Sequence, residues 1–544
     1  MSAISSPTGA RKTRYRPIRS AGAAVVAGHP LAVAAGMRIL DRGGNAVDAA
    51  IATAAAVAVV RPHMCGVAGD GFFLIYDAAA ARVHALNAGG PAPAAVTPAH
   101  FRGGMPDRGG VLSTVPGILD GWSQAHARFG TLPWAELLQP AIELAERGFP
   151  MYESFNDWIR KYRDKYRANA ACAAVLLPGG DPPAPGTLFR RPDLGGTFRR
   201  IAERGARDFY EGELGATFAR GLADAGGLVT TRDLAAYHAG WGEPVRAAYR
   251  GHVLHTPPPL SQGWMLAQML SALAGADLGA VPYESGDRVV LLANAVRAAF
   301  EDRDRWFGDP RWTGFTLDRV LSPSRVAEIG AGLRGRATSA ARADRSGDTT
   351  ALSAIDAQGN AVSMIQSLWT DAGVMIPGTG ILVNGRLDSA SLRADHPDVV
   401  AGGKTPVYTL HTYMVTRDDR LRLIGGTPGG HSQVQTNLQV VTNVLDYGFS
   451  PQEAVEAPRF LLGGALHYDT LSAIFLEGRF PPEACRALES DGYGVTTIAD
   501  WAEIVVEGAS PVSVGSAKAI GIDPETGVRA LGVDPRRDAY GAVR

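Results

Sequence analysis

The run Asp348-Thr349-Thr350-Ala351-Leu352-Ser353-Ala354-Ile355-Asp356, the turn Ala357-Gln358-Gly359-Asn360 and the run Ala361-Val362-Ser363-Met364-Ile365 form the most legible unit of the chain. Side chains in both runs alternate between two faces, and a glycine sits in the short connection. This predicts an antiparallel β-hairpin. Immediately upstream, 339–348 is polar, rich in Arg, Asp and Ser, and lacks apolar periodicity, so it predicts an exposed loop. The chain therefore divides at Asp348-Thr349 into a helix-rich first two-thirds and a strand-rich last third.

A threonine that opens a strand directly after such a loop admits two readings. It is an ordinary strand residue, or it is a nucleophile that becomes N-terminal when the Asp348-Thr349 bond is cut. In the second case the new α-amine, with an intrinsic pKa of about 7.7 to 8.0, sits beside the hydroxyl and can take its proton. Two glycine segments bear on this choice. In Gly425-Gly426-Thr427-Pro428-Gly429-Gly430-His431, paired glycines after a proline let backbone N–H groups approach a substrate, as an oxyanion hole requires. Gly378-Thr379-Gly380-Ile381-Leu382-Val383-Asn384 has the same glycine-turn-into-strand character. Each is also compatible with a plain turn.

Working outward, Ala24-Val25-Val26-Ala27 is a strand candidate and Pro30 opens a helix that Gly43-Gly44 stops. A helix from Ala46 to about Val59 is almost wholly Ala and Val, so it must be buried on most sides. Gly66 to Gly71 turns into the apolar strand Phe72-Phe73-Leu74-Ile75-Tyr76, which pairs with Val83-His84-Ala85-Leu86. Helical patterns dominate from Leu132 to Ala235 and resume at Gly263–Leu273. Residues 1–20 are polar and predict a disordered leader.

With 544 residues, 46% apolar and 20% charged, the chain has ample material for a core. Lys and Arg number 53 against 54 Asp and Glu, and no basic stripe interleaves with aromatics, so a nucleic-acid surface is excluded. Cys65, Cys172 and Cys485 stand far apart, without metal-ligand spacing or a disulfide framework. The uncharged stretch after Arg19 holds His29, Pro30 and glycines, which argues against a membrane span or a signal peptide. The expectation is a cytoplasmic protein, with a periplasmic one as the alternative.

Further motifs run in order along the chain: Gly43-Gly44-Asn45-Ala46-Val47-Asp48-Ala49-Ala50, Thr114-Val115-Pro116-Gly117, Phe129-Gly130-Thr131-Leu132-Pro133, Phe209-Tyr210-Glu211-Gly212 and Pro257-Pro258-Pro259. Asp302-Arg303, Gly308-Asp309-Pro310, Asp348-Thr349-Thr350, Pro377-Gly378-Thr379-Gly380 and Pro428-Gly429-Gly430 complete the series. In this order they resemble the γ-glutamyltranspeptidase family of N-terminal nucleophile hydrolases, from about Ala24 to near the C-terminus. The resemblance implies an α/β (α+β) fold, a four-layer αββα sandwich built from two autoproteolytic fragments. Residues 21–348 would form the large, helix-rich portion and 349–544 the small, catalytic one, together a single structural domain.

The resemblance also assigns roles. Thr349 becomes the nucleophile of both self-cleavage and catalysis, Ser367 the hydroxyl that hydrogen-bonds it, and Gly429 and Gly430 the oxyanion-hole pair. The substrate-binding parts depart from the pattern. Glutathione-processing members hold the γ-glutamyl α-carboxylate with an Arg where this chain has Gly89. Their acidic pair for the α-amine becomes Asp388-Ser389, and their Ser-Ser clamp becomes Tyr408-Thr409. Arg386 is one candidate for the missing cation, against the reading of a surface Arg on a turn. Trp369 stands where other members carry a small polar residue, or is a core aromatic. His63 and His431, beside glycine turns, read as structural.

These departures resemble the amidohydrolase branch, whose members include oxamate amidohydrolase. The implied activity is amide hydrolysis or acyl transfer on a γ-glutamyl compound or a small amide, with an oxamate-type amidohydrolase or an acylase without glutathione activity as the alternative. A non-catalytic binding protein on the same scaffold is the rival from another class. No metal or organic cofactor is implied. The expected partners are a small amide and the chain's own cleaved fragment, with a higher homo-oligomer left open.

Overall fold

A computed structural model describes residues 12–335, 348–463, 471–501 and 514–544. Most of the expected leader, and the polar loop before Asp348, lie outside the described residues. The leader's last residues do not: Ile18–Ser20 is an edge strand, and the Tyr15 N–H donates to Glu456 at 2.8 Å. Residues 18–20 therefore belong to a sheet rather than to a disordered leader.

The sheets are built from Ile18–Ser20 (β1), Ala24–Ala27 (β2), Asp70–Asp77 (β3), Arg82–Ala88 (β4), Gly240–Gly242 (β5), Val245–Tyr249 (β6) and His252–Thr256 (β7). After the division at Thr349 come Asp348–Ile355 (β8), Ala361–Trp369 (β9), Thr412–Arg417 (β10), Arg420–Gly426 (β11), Lys518–Ile522 (β12), Arg529–Val533 (β13) and Tyr540–Val543 (β14). One seven-stranded sheet has the order β1-β13-β12-β11-β10-β7-β6 and the other β14-β2-β8-β9-β3-β4-β5. The expected hairpin is β8–β9, with Gly359 at φ 90° in its turn.

Strand alternation creates the layers. In β3, Phe73 and Ile75 face a core shared with helices Pro30–Asp41, Ala46–Val60 and Ile118–Phe129. Leu74 and Tyr76 face Met414, Ile424, Ile520 and Leu531 of the other sheet. That second sheet turns Val415 and Leu423 outward onto helices Gly263–Leu273, Gly286–Trp306 and Ser432–Leu445. The result is the four-layer αββα sandwich. Every residue of Ala46–Val60 is buried, which explains a helix made of small side chains: Ala lets the neighbouring helix and the sheet approach closely. An Asn45–Asp48 capping box starts it.

The helix-rich character of the first two-thirds does not keep it out of the sheets. The first two-thirds does not lack sheet, since it supplies half of the strands in the two large sheets, and β2 and β3 flank the β8–β9 hairpin. Among the described residues, no helix is long and apolar enough to cross a membrane.

Candidate active site

Thr349 lies at the start of β8, where the ladder is irregular. Asp348 pairs with Trp369 and Thr350 with Gln366, so the register shifts across Thr349. A bulge re-aims the side chain at that point. Thr349 is buried, and its Oγ1 donates to Ser367 Oγ at 3.3 Å. Ser367 Oγ also accepts the Trp369 N–H at 2.6 Å, which fixes the hydroxyl in place. Trp369 has φ 68°, a left-handed conformation rare for a bulky residue, and this ends β9.

The glycine loop approaches the same end from the opposite sheet. Ser363 Oγ donates across the sheets to the Gly425 carbonyl at 3.1 Å, and a Cβ on Gly426 would lie 3.4 Å from Ala351. Continuing in that direction, β11 leads into Thr427–Gly430 at the Thr349 end. Gly429 has φ 126° and Gly430 φ 54°, both in the region that favours glycine. The Gly429 carbonyl accepts from Ser432 N at 3.0 Å and Ser432 Oγ at 2.8 Å, so it turns toward the helix that follows. Neither the Gly429 nor the Gly430 N–H donates a hydrogen bond among the described residues. His431 stacks edge-on against Trp369 at 6.1 Å and its Nδ1 lies 3.0 Å from Arg303 Nη1. His63 is buried against Phe155, and burial holds its pKa well below the ordinary histidine value.

Arg386 does not lie on the surface. It is completely buried, with Nε 3.2 Å from Asp70 Oδ2 and its guanidinium carbon 5.0 Å from the Trp369 ring centroid and 4.6 Å from that of Tyr408. Asp70, absent from the sequence-based candidates, ties the group together: Oδ1 accepts the Gly90 N–H and the Tyr408 hydroxyl, both at 3.2 Å. Burial raises its pKa to about 6, against the opposing pull of Arg386. Its only sequence signal was a lone Asp at the end of a glycine turn.

The remaining candidates divide. Tyr408 donates to Asp70 and to the Gly90 carbonyl at 2.9 Å, so its hydroxyl is already committed. Thr409 Oγ1 is buried and has no partner among the described residues. Ser389 Oγ donates to the Arg386 carbonyl at 2.8 Å, and Asp388 sits beside it in the 3-10 turn Arg386–Ser389. Gly89 and Leu260 border a cavity of about 970 Å³ that Pro258, Asp309 and Pro310 also line. Among the described residues no cluster of His, Cys, Asp or Glu is arranged to hold a metal.

Comparison with known proteins agrees with this architecture. Residues 32–543 match the family model described as Gamma-glutamyltranspeptidase. The chain is 33% identical to the glutathione hydrolase-like YwrD proenzyme of Bacillus subtilis, covering 94% of this chain and 97% of that protein. It is 32% identical to the oxamate amidohydrolase proenzyme of Klebsiella pneumoniae, covering 95% and 97%. The crystal structure of cephalosporin acylase from Bacillus halodurans superposes with a TM-score of 0.87 at 29% identity, covering 98% of both chains. Sandwich, strand-initial threonine and whole-chain similarity converge, and the chain belongs to the gamma-glutamyltranspeptidase family, as an enzyme that hydrolyses amides or transfers their acyl groups.

Proposed function

We propose that the chain cleaves itself between Asp348 and Thr349, and that the freed Thr349 is the nucleophile of an amide hydrolase. The observation that carries this reading is the 3.3 Å hydrogen bond from Thr349 Oγ1 to Ser367 Oγ at the bulged start of β8. Ser367 holds the hydroxyl in one orientation, and the new α-amine stands on the same residue to accept its proton.

The steps follow from these positions. Oγ1 attacks the amide carbonyl as the α-amine takes its proton. The N–H groups of Gly429 and Gly430 hydrogen-bond the oxygen as it gains charge, the interaction that falls mainly on the transition state. The α-ammonium returns the proton to the departing amine, and an ester on Thr349 remains. Water, or an acceptor amine, then attacks that ester with the α-amine again as base, releasing the acid or the new amide. The fragments 1–348 and 349–544 remain one particle, because β2, β8 and β9 are neighbours in a single sheet.

A denaturing gel tests the reading. Purified wild-type protein should run as two fragments and Thr349→Ala as one inactive chain. A Thr349→Ala protein cut at the same bond overturns it.

A further inference from the structure

Lys518, the first residue of β12, is a buried amine that catalysis by Thr349 leaves unused. Its Nζ donates to the Ser516 carbonyl at 2.9 Å and to Ser516 Oγ at 3.3 Å, and it makes no ion pair among the described residues. The acidic groups facing it are held elsewhere. Asp534, just after β13, accepts from Arg459, Arg536 and the Ala517 N–H, while Asp538 accepts from Ser154 and lies 3.5 Å from Arg61. Arg61, which caps the helix Ala46–Val60, and Arg537 add positive charge on the same side. Burial, together with Arg61 and Arg537, lowers the Lys518 pKa to about 7 against the pull of Asp534 and Asp538. Burying a lysine without a counter-ion costs stability, so packing alone does not account for it.

The sheets place this amine at the nucleophile's end of the sandwich. Strands β8 and β12 pack face to face. Ile520 of β12 faces the other sheet, and Lys518, two residues before it, shares that face. Lys518 is the register partner of Gly426, and a Cβ on Gly426 would lie 3.4 Å from Ala351 of β8. Thr349 lies two residues beyond Ala351, and the lysine stem runs toward Ser516, in the same direction. Cross-strand and along-strand spacings then put Nζ roughly 10 Å from the Thr349 nitrogen. The charged groups on the other side of Thr349, Asp70 and Arg386, pair with each other.

A cut ahead of Thr349 turns that nitrogen into a second amine in the same enclosed space. Two amines so placed resist being charged together. At an effective dielectric constant of about 20, a charge ~10 Å away lowers the pKa of the other amine by about one unit. We propose that Lys518 acts through the Thr349 α-amine: the lysine ammonium opposes protonation of that amine and keeps the reaction's base free on the acid side of neutrality. The proposal rests on Thr349 as nucleophile, and no bond to Lys518 forms or breaks in it.

The pH profile of kcat/KM for γ-glutamyl p-nitroanilide tests this, because it reports the base of the free enzyme. Lys518→Gln keeps a hydrogen-bonding end of similar length without the charge. Its acid limb should move up by about one pH unit, so that the ratio of wild type to variant is about five to ten near pH 6 and approaches one above pH 8. Lys518→Arg, charged at every pH, should keep the wild-type acid limb. Carbamylation by cyanate, mapped to the peptide that begins at Thr349, reads the same amine without turnover, and its profile should move in parallel. A denaturing gel of each sample scores cleavage. Failure of the nucleophile reading therefore shows as an intact wild-type chain, and failure of this proposal as a cut Lys518→Gln protein whose acid limb has not moved. An equal displacement in Lys518→Arg, or identical carbamylation profiles in wild type and Lys518→Gln, also overturns the assignment.

Discussion

The ring of Tyr408 fills the space into which a side chain on residue 89 would project: a Cβ on Gly89 would lie 2.7 Å from Tyr408 Cε2 and 2.9 Å from Cζ. The two positions at which the sequence departs from the expected glutathione-processing pattern therefore share one space. A side chain at 89 would collide with this ring, and the same ring packs on Arg386.

Reintroducing the arginine alone should fail. Gly89→Arg overpacks against Tyr408, at a cost of about 1–3 kcal/mol. Gly89→Arg combined with Tyr408→Ser should recover part of this loss, although it frees the Asp70 oxygen that Tyr408 occupied. Thermal unfolding of both single variants and the double variant gives the coupling directly. Strict additivity would show that the two positions do not compete for space.

Ser367→Ala should leave a folded protein with slow chemistry. It deletes the acceptor of both Thr349 Oγ1 and the Trp369 N–H, and an unmet buried donor costs about 1–3 kcal/mol. We expect kcat to fall about ten- to a hundredfold with a smaller change in KM, because the loss is in orientation of the nucleophile. Unchanged kcat would remove Ser367 from the mechanism.

The β8–β9 hairpin and the Ala46–Val60 helix were legible because their patterns are local: alternation around a glycine turn in one, unbroken small apolar residues in the other. The ordered motifs likewise gave the family and the layered fold. The shared sheets were not legible, because the pairing of β8 with β2, more than 300 residues away in sequence, leaves no mark in a local pattern. Asp70 was missed for the same reason, as its partners Arg386 and Tyr408 come from the other side of the division. Arg386 looked like a turn residue because sequence shows its neighbours along the chain and not the two rings that enclose it.

Asp70 gives stability a pH dependence of unusual sign. Its pKa is about 6 in the folded protein against about 3.9 in an unfolded chain, so the folded state holds the proton more tightly. This contribution is fully present below about pH 4 and is lost as pH rises to about 6, an effect of order 3 kcal/mol. Measured on Thr349→Ala, which stays a single chain, Asp70→Asn should flatten that part of the stability-versus-pH curve. An identical slope between pH 4 and 6 in both proteins would contradict the assignment.

The two fragments should co-elute on size exclusion in reducing buffer without denaturant. Separation would leave β8 without β2 and expose unpaired edges and core. No disulfide is needed: Cys65, Cys172 and Cys485 are all free. Elution as two separate peaks would refute shared-sheet association.

The central claim, that Thr349 becomes an N-terminal nucleophile, is tested most directly by intact mass spectrometry with peptide mapping after brief reaction with a slowly turned-over amide. The account predicts a fragment running from Thr349 to Arg544 that gains the mass of the acyl group, with the adduct on Thr349. An active enzyme whose chain remains uncut, or whose acyl adduct maps to another residue, would contradict it.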